Sequence, residues 1–511
     1  MGAEPEPVPV RPAASVVLVP FPAQGHVSPM LRLARALAAR GVAATVATPD
    51  FVHRRIVAAA GGQTGVGRVE LASIHSGVPD DGKGDPPGFA SFAHAMERHM
   101  PVSLEEMLTT RRSLTGRNVA CLVADVLASW AIPVADRCGV PVVGFWTAML
   151  ATYRVVAAIP ELIEKGLISD CGIPISTKRL NNTGEENGEE KVNGHRQIGD
   201  VLYVLPAELD LSTAELPWLV GDAACRKSRF TFWLRTMERA KSLRRSILVN
   251  SFPDEAAGGD SGNTPSQVLP QALLQVGPLP SNGGFDCSTK GDLLHGSPPA
   301  ENPSMWQADE TCLEWLDQQR AGSVIYVSFG SWVPSIGRDV INELAIGLQA
   351  TGRPFLWALK EEPSWRDGLP EQYAEAVAGR GKIVAWAPQE DVLRHKATGC
   401  YMTHCGWNST LEAIHYGVRL LCYPVSGDQF INCAYIVKMW ETGMRLWSTK
   451  RGVVEDCVTR IMEGDEGRRM QEKVDELRRR VMTGEVRCAA KRNLDSFVDG
   501  IILRDKLRVF G

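Results

Sequence analysis

Short apolar runs alternate with stretches of helical spacing along this chain, and the whole pattern begins again past residue 320. A short run that stays apolar without alternating is buried on both faces, which is how strands of a parallel sheet read. SVVLVPF (Ser15–Phe21), VAATVATP (Val42–Pro49), CLVAD (Cys121–Asp125), VPVVGF (Val140–Phe145) and SILVNSF (Ser246–Phe252) form a first series. SVIYVSFGS (Ser323–Ser331), PFLWAL (Pro354–Leu359), KIVAW (Lys382–Trp386), CYMTH (Cys400–His404) and RLLCYP (Arg419–Pro424) form a second. Between the first two runs, MLRLARALAAR (Met30–Arg40) is apolar at helical spacing and stops at Gly41. Strands joined by crossover helices give an α/β chain, and 511 residues are too many for one core. Two facing, Rossmann-like, doubly wound parallel-sheet domains are expected.

The expected divisions are an N-terminal domain over 1–265, a second over 266–475, and a terminal helical segment over 476–511. Residues 177–196 (TKRLNNTGEENGEEKVNGHR) are charged and without apolar period, and read as a surface insertion. Residues 253–267 (PDEAAGGDSGNTPSQ) read as the start of a linker, and 280–302 as a further irregular loop.

Bulk properties exclude several classes. A 44% hydrophobic, 22% charged chain is globular, and a net charge of −4 argues against nucleic acid as a partner. The twelve cysteines are spread singly with no C-x-x-C pair, as in a reducing compartment. The opening MGAEPEPVPVRPAAS is acidic and proline-rich, unlike a secretory signal, and no run is long enough to span a membrane. The expectation is a cytoplasmic monomer with no transmembrane segment.

The densest chemistry lies between Trp386 and Gln429. After CYMTH, Gly406 lets backbone approach a ligand, and Asn408 and Ser409 offer caps for the helix TLEAIHY. A helix start with free N–H groups suits a diphosphate, and His404 adds a donor beside it. Trp386 ends its strand, where an indole can stack a base. Glu412 can accept from two vicinal ribose hydroxyls, and Asp428 with Gln429 can take up several sugar hydroxyls. Taken singly, Ser409 and Glu412 are a capping box, Trp386 a core aromatic and Gly406 turn punctuation. No packing demand calls for all of them in this order. No metal-ligand cluster stands near the segment, so neither a metal nor a bound cofactor is expected.

The segment resembles the signature box of plant UDP-dependent glycosyltransferases of family 1, from its opening Trp to its closing Asp-Gln. HVSPMLRLARAL, DVLASWAIPVADRCGVP and CLEWLDQQRAGSVIYVSFGS also look like family segments in family order. The resemblance implies a GT-B fold whose C-terminal helix crosses back to the first domain. It implies that His404, Gly406, Asn408, Ser409 and Ser331 bind the phosphates of a UDP-sugar. It gives Trp386 the uracil, with Ala387 and Gln389 contacting the base through the backbone or the ribose, and has Trp407 wall the sugar site through its backbone and ring. A closing Gln, here Gln429, goes with glucose donors more often than galactose in that family. Val425-Ser426-Gly427 stands where an aromatic is commoner.

In the first half, PFPAQGHVSP (Pro20–Pro29) ends the first strand, with Ser28 as an N-cap and Pro29 as first helical residue. His26 is then expected on the connecting loop, at the ligand-facing edge, as a general base for an acceptor hydroxyl. Asp125, ending CLVAD, is the candidate to orient it, and the resemblance carries a His-Asp dyad at these two places. Phe145, Trp146 and Met149 are expected to offer apolar surface to a small lipophilic acceptor, helped by loops around 80–92 and the insertion. His94 and His99 are too loosely spaced for a metal pair. The function so implied is inverting transfer of a hexose, glucose first. The alternatives are UDP-galactose, UDP-xylose or UDP-glucuronate as donor, or a UDP-sugar-binding protein without turnover. A nicotinamide dehydrogenase is set aside because no G-x-G-x-x-G follows a strand.

Overall fold

In this computed structural model the described residues are 14–63, 65–66, 68–79, 89–115, 119–175, 205–206, 209, 211–243, 247–252, 273–281, 285, 304–331 and 333–509. The insertion at 177–196 and the linker at 253–267 lie outside them, as do most of 280–302 and of the 80–92 loop.

Two sheets carry the chain. The first holds β1 (Ala14–Val19), β2 (Val42–Pro49), β3 (Gly65–Val66), β4 (Val69–Ile74), β5 (Cys121–Asp125), β6 (Val142–Trp146), β7 (Ile247–Val249) and β8 (Leu273–Gln275). Its strands run side by side as β3-β4-β2-β1-β5-β6-β7-β8. All neighbours are parallel except the short β3–β4 pair. The second holds β9 (Val324–Ser328), β10 (Phe355–Ala358), β11 (Gly381–Val384), β12 (Thr398–Thr403), β13 (Arg419–Cys422) and β14 (Gly443–Arg445), ordered β11-β10-β9-β12-β13-β14 and wholly parallel. Both are doubly wound, with the order reversing beside β1 and β9, and ligands of such sheets sit beyond the carboxyl ends at that reversal. The continuous apolar runs follow from burial on both faces: Val16, Val17 and Leu18 are fully buried, as are Val324, Ile325 and Val327. The two sheets face one another in the GT-B arrangement.

Two boundaries differ from expectation. β8 pairs with β7, so the first sheet reaches residue 275, past the division expected at 265. Its LLQ core is too short to stand out from the polar chain before it. The helix Asp465–Met482 stays with the second lobe, where Gln471 bonds the Gly417 carbonyl at 2.9 Å. The crossing element is the next helix, Gly484–Val509, whose Leu494, Phe497, Val498 and Ile501 enter the first lobe's core. Asn493 caps the edge of β8 through the Gln275 carbonyl at 2.9 Å, and Asp495 holds Arg40 at 2.7 Å.

Helix α1 (Gln24–Ala38) also starts earlier than expected. Ser28 is not its N-cap, and Pro29 lies inside it. Proline at this position removes the N–H that would bond the Gly25 carbonyl four residues back, and its ring crowds that carbonyl. The freed oxygen accepts instead from the Asn408 amide of the second lobe at 2.7 Å. His26 therefore sits in the first helical turn, not on a loop.

If the terminal helix holds the first lobe together, Leu494→Ala should cost about 2–5 kcal/mol, against about 0.5 kcal/mol or less for the exposed-side Lys491→Ala. Denaturant midpoints compare the two; equal shifts would remove the helix from the core.

Candidate active site

The C-terminal ends of both sheets open onto one cavity of about 1740 Å³. It is lined by His26 and by Ser331, Trp386, Ala387, Gln389, His404, Gly406, Trp407, Asn408, Ser409, Glu412, Asp428 and Gln429. Asp125 stands behind His26 and is fully buried.

The first-lobe wall follows from the register. β1 and β5 pair Val19 with Ala124, which brings the start of α1 beside the end of β5. Asp125 Oδ2 lies 2.7 Å from His26 Nδ1, and its Oδ1 accepts from the Leu127 amide at 2.9 Å. A carboxylate can only accept, so Nδ1 carries the proton and Nε2 keeps the lone pair. Thr147 Oγ1, from the end of β6, lies 2.9 Å from the same Nδ1, and Phe21 packs against the ring at 5.1 Å. Neither Thr147 nor Phe21 was singled out in the sequence; a hydroxyl and an aromatic at strand ends carry no motif.

The second-lobe wall is built around the helix Trp407–Tyr416. Its N-cap is Gly406, without a side-chain cap, so Asn408 and Ser409 lie in the first turn and are not caps. That leaves the helix's first amides facing an anion without competition from a capping oxygen. Gly406 serves a neighbour as well as a ligand: a Cβ there would come 2.4 Å from His404 Nε2, and one on Gly330 2.6 Å. The His404 ring fills the gap between two glycines. Burial lowers its pKa to about 4, so it is a neutral imidazole near neutral pH and offers no positive charge to a phosphate. Trp407 is buried, stacks with Phe252 and donates Nε1 to the Asn250 carbonyl at 2.7 Å. Its ring ties the lobes together, and the residue also lines the cavity.

Gln389 is saturated. Its Nε2 donates to Ser409 Oγ at 3.0 Å and Glu412 Oε2 at 2.8 Å, while Oε1 accepts from Tyr326 and Tyr401. Its side chain thus positions Glu412 rather than standing free for a base. Burial pushes the Glu412 carboxyl up; Arg32 pulls it down, and Glu390 pushes it up again. Gln429 Oε1 accepts from the Val425 and Ser426 amides at 2.8 and 2.9 Å. Two donors identify that atom as the oxygen, leaving Nε2 for a sugar hydroxyl. Burial raises the Asp428 carboxyl, while the hydrogen bond from Asn432 acts the other way. Trp386 stacks against Trp306 at 4.8 Å and 19°, so one indole face is covered and one remains. His404 Nδ1, Asn408 Oδ1 and Arg32 Nε are among the buried polar atoms with no partner among the described residues, as expected where a ligand completes the bonding.

The family described as UDP-glucoronosyl and UDP-glucosyl transferase matches residues 307–462, and the glycosyltransferase N-terminal domain matches residues 13–139. UDP-glycosyltransferase 82A1 of Arabidopsis thaliana is 42% identical, over 94% of this chain and 96% of the relative. The chain belongs to the plant family 1 UDP-glycosyltransferases. UDP-glycosyltransferase 83A1 of the same plant is 33% identical, over 86% of this chain and 85% of its own. The crystal structure of Os79 from O. sativa in complex with UDP superposes with a TM-score of 0.72 at 25% identity, covering 95% of this chain and 100% of that one. The protein is accordingly a glycosyltransferase enzyme.

The first-lobe part of the glycosyltransferase's cavity joins an apolar patch to polar residues such as Gln24, Arg35 and Arg229. Trp146 lines it, but Phe145 and Met149 do not and are fully buried. Successive strand residues point to opposite faces, so Phe145 enters one core and Trp146 the other side. Phe89, Leu127, Val220, Phe232 and Trp233 line it instead. Phe232 and Trp233 belong to the helix Ala223–Ala240, whose FTFW cluster was the overlooked signal.

Behind the phosphate-facing loop the fold gathers three thiols that the sequence scatters. Cys405, Cys422 and Cys433 place their sulfurs within 4.8 Å of one another, all buried. This is a metal-capable grouping beside the box, where none was expected. Burial holds the Cys405 and Cys422 thiols high, while S–H donation from both holds Cys433 low. Among the described residues no helix is long and apolar enough to cross a membrane.

His404 gives a pH signature. It stays neutral down to about 4 when folded, against 6.5 for the unperturbed group. Between those values the unfolded chain binds the extra proton, so stability present above the upper value is lost as pH falls toward the lower. His404→Gln should flatten that slope by up to about 1.4 kcal/mol per pH unit. Unfolding titrations at stepped pH read it; an unchanged slope would mean the ring is hydrated.

Proposed function

We propose that the enzyme transfers a hexose, glucose in the first instance, from a UDP-sugar to a hydroxyl of a small lipophilic acceptor with inversion at the anomeric carbon. The observation that carries the reading is one cavity with His26 on its first-lobe wall and Asp428, Gln429 and an uncapped helix start on the other. Asp125 orients His26, whose Nε2 takes the acceptor's proton as its oxygen attacks the anomeric carbon. The bond from that carbon to the phosphate oxygen breaks on the opposite face, and UDP leaves with the electron pair. The first-turn amides of Trp407–Tyr416, with Ser331, take up the charge that develops on the diphosphate. Trp386 offers its uncovered face to uracil, Glu412 accepts from the ribose, and Asp428 with Gln429 holds the hexose hydroxyls. No metal or bound cofactor enters this scheme.

A cavity lined by Phe89, Phe232, Trp233 and Trp146 suits an aromatic or terpenoid acceptor. Os79, at 27% identity, is also solved in complex with U2F and trichothecene, which supports a small-molecule acceptor. Gln429 favours glucose, and competition between UDP-glucose, UDP-galactose, UDP-xylose and UDP-glucuronate tests that preference.

His26→Ala is expected to lower transfer by about 10²–10⁴ while UDP affinity stays near normal, because base and donor site stand on different lobes. Unchanged turnover, with hexose addition to a metabolite panel followed by mass, would take His26 out of the mechanism. Gln429→Ala should weaken UDP-glucose binding by about tenfold and free UDP far less; calorimetry showing equal losses would separate Gln429 from the sugar.

A further inference from the structure

Of the four arginines that line the cavity, Arg32, Arg35, Arg68 and Arg229, Arg32 is the buried one, and none of the chemistry above uses it. Arg32 lies two turns into α1, lines the cavity, and has a side chain only 8% exposed. It belongs to the first lobe, yet both its acid partners belong to the second. Nη2 donates to Glu412 Oε1 at 2.8 Å and to Glu390 Oε1 at 2.6 Å. Burial works against the guanidinium charge, but the two carboxylates more than offset it and hold its pKa above the usual value.

Glu412 needs that partner. Its side chain is 12% exposed, and a carboxylate so buried takes up a proton unless a cation or strong donors hold it ionised. Glu390 stands next to it and adds like charge. Gln389 supplies one neutral donor to Oε2 at 2.8 Å, so the cationic contribution comes from Arg32. A protonated Glu412 would keep one lone-pair-rich oxygen fewer for hydroxyl donors. Glu390 is separately secured, accepting from Ser281 at 2.8 Å and Tyr416 at 3.3 Å, so it can share the guanidinium without leaving its place.

We propose that Arg32 is a positioning residue for the nucleotide: reaching across from the acceptor lobe, it keeps Glu412 ionised and aimed as the acceptor of the ribose hydroxyls. The proposal rests on the reading of Glu412 as the ribose contact. Its consequence is mechanical. His26 and Arg32 are six positions apart on one helix, about 9 Å along its axis. The element that presents the base to the acceptor therefore also completes the ribose site on the opposite lobe. The Gly25 carbonyl, in the same first turn as His26, adds the bond to Asn408. Donor affinity is thereby conditional on the lobes being in register, and a lobe displacement that moves the base away from the sugar also removes the cation from Glu412.

Calorimetry on the full chain tests this with UDP and with 2′,3′-dideoxy-UDP, which has no hydroxyl to offer Glu412. Arg32→Met should weaken UDP at least about tenfold and the dideoxy analogue by less than about threefold. Arg32→Lys, which keeps the cation on a shorter side chain without the planar guanidinium, should recover part of the loss. In a Glu412→Gln background the Arg32→Met change should add nothing. Equal losses for both ligands, or none for either, in a wild type that binds UDP would overturn the proposal. Wild type that binds no UDP would overturn the parent reading instead. Should Arg32→Met fail to fold, Glu390→Gln decides: releasing the competing carboxylate should leave UDP affinity unchanged or tighter, and a tenfold loss (about 1.4 kcal/mol) would sink the idea.

Discussion

Helix α1 is the constraint on which the rest of this molecule depends. A proline inside it leaves the Gly25 carbonyl without its helical partner, and the Asn408 amide of the other lobe takes the vacant bond. In the same turn, His26 faces the cavity with Asp125 behind it; further along, Arg32 enters the carboxylate pair of the second lobe. The bonds of Gly25 to Asn408 and of Arg32 to Glu412 and Glu390 thus set the first lobe against the second from one rigid rod. A helix rises by a constant amount per residue, so the spacing between these contacts cannot drift independently.

The second lobe answers with buried, mutually satisfied polar groups rather than with flexible side chains. Gln389 uses all four of its hydrogen-bonding positions on Ser409, Glu412, Tyr326 and Tyr401. Asn432 joins the Cys405 carbonyl to Asp428, so the loop before Trp407 and the Asp428 carboxylate are held by one amide. Trp407 reaches into the first lobe to the Asn250 carbonyl. Such networks are stable only when nearly every member is paired, and His404 Nδ1 and Asn408 Oδ1, on cavity-lining residues, are among the buried atoms without a partner among the described residues.

Much of the fold was legible because parallel strands buried on both faces advertise themselves as apolar runs. β2 and β5 coincide with the runs read from the sequence, β9 lies within its run, and β1 starts one residue before its own. The errors have equally plain causes. Ser28-Pro29 imitates a helix start, but here the bond lost to proline is replaced from another lobe. Asn408 and Ser409 read as caps for TLEAIHY, but the helix already begins at Trp407, behind Gly406. Phe145 was grouped with Trp146 although strand parity sends the two to opposite faces.

The order of residue types along the chain was enough by itself to determine two doubly wound sheets and the donor box, since both are local patterns of burial and ligand chemistry. Only the tertiary structure decided that Arg32 belongs to Glu412, that Thr147 joins His26, that Phe232 and Trp233 line the cavity, and that three scattered cysteines meet. Those groups are separated by tens to hundreds of residues, and a side chain's partner across such a distance is set by how lobes and helices pack, which no local period records.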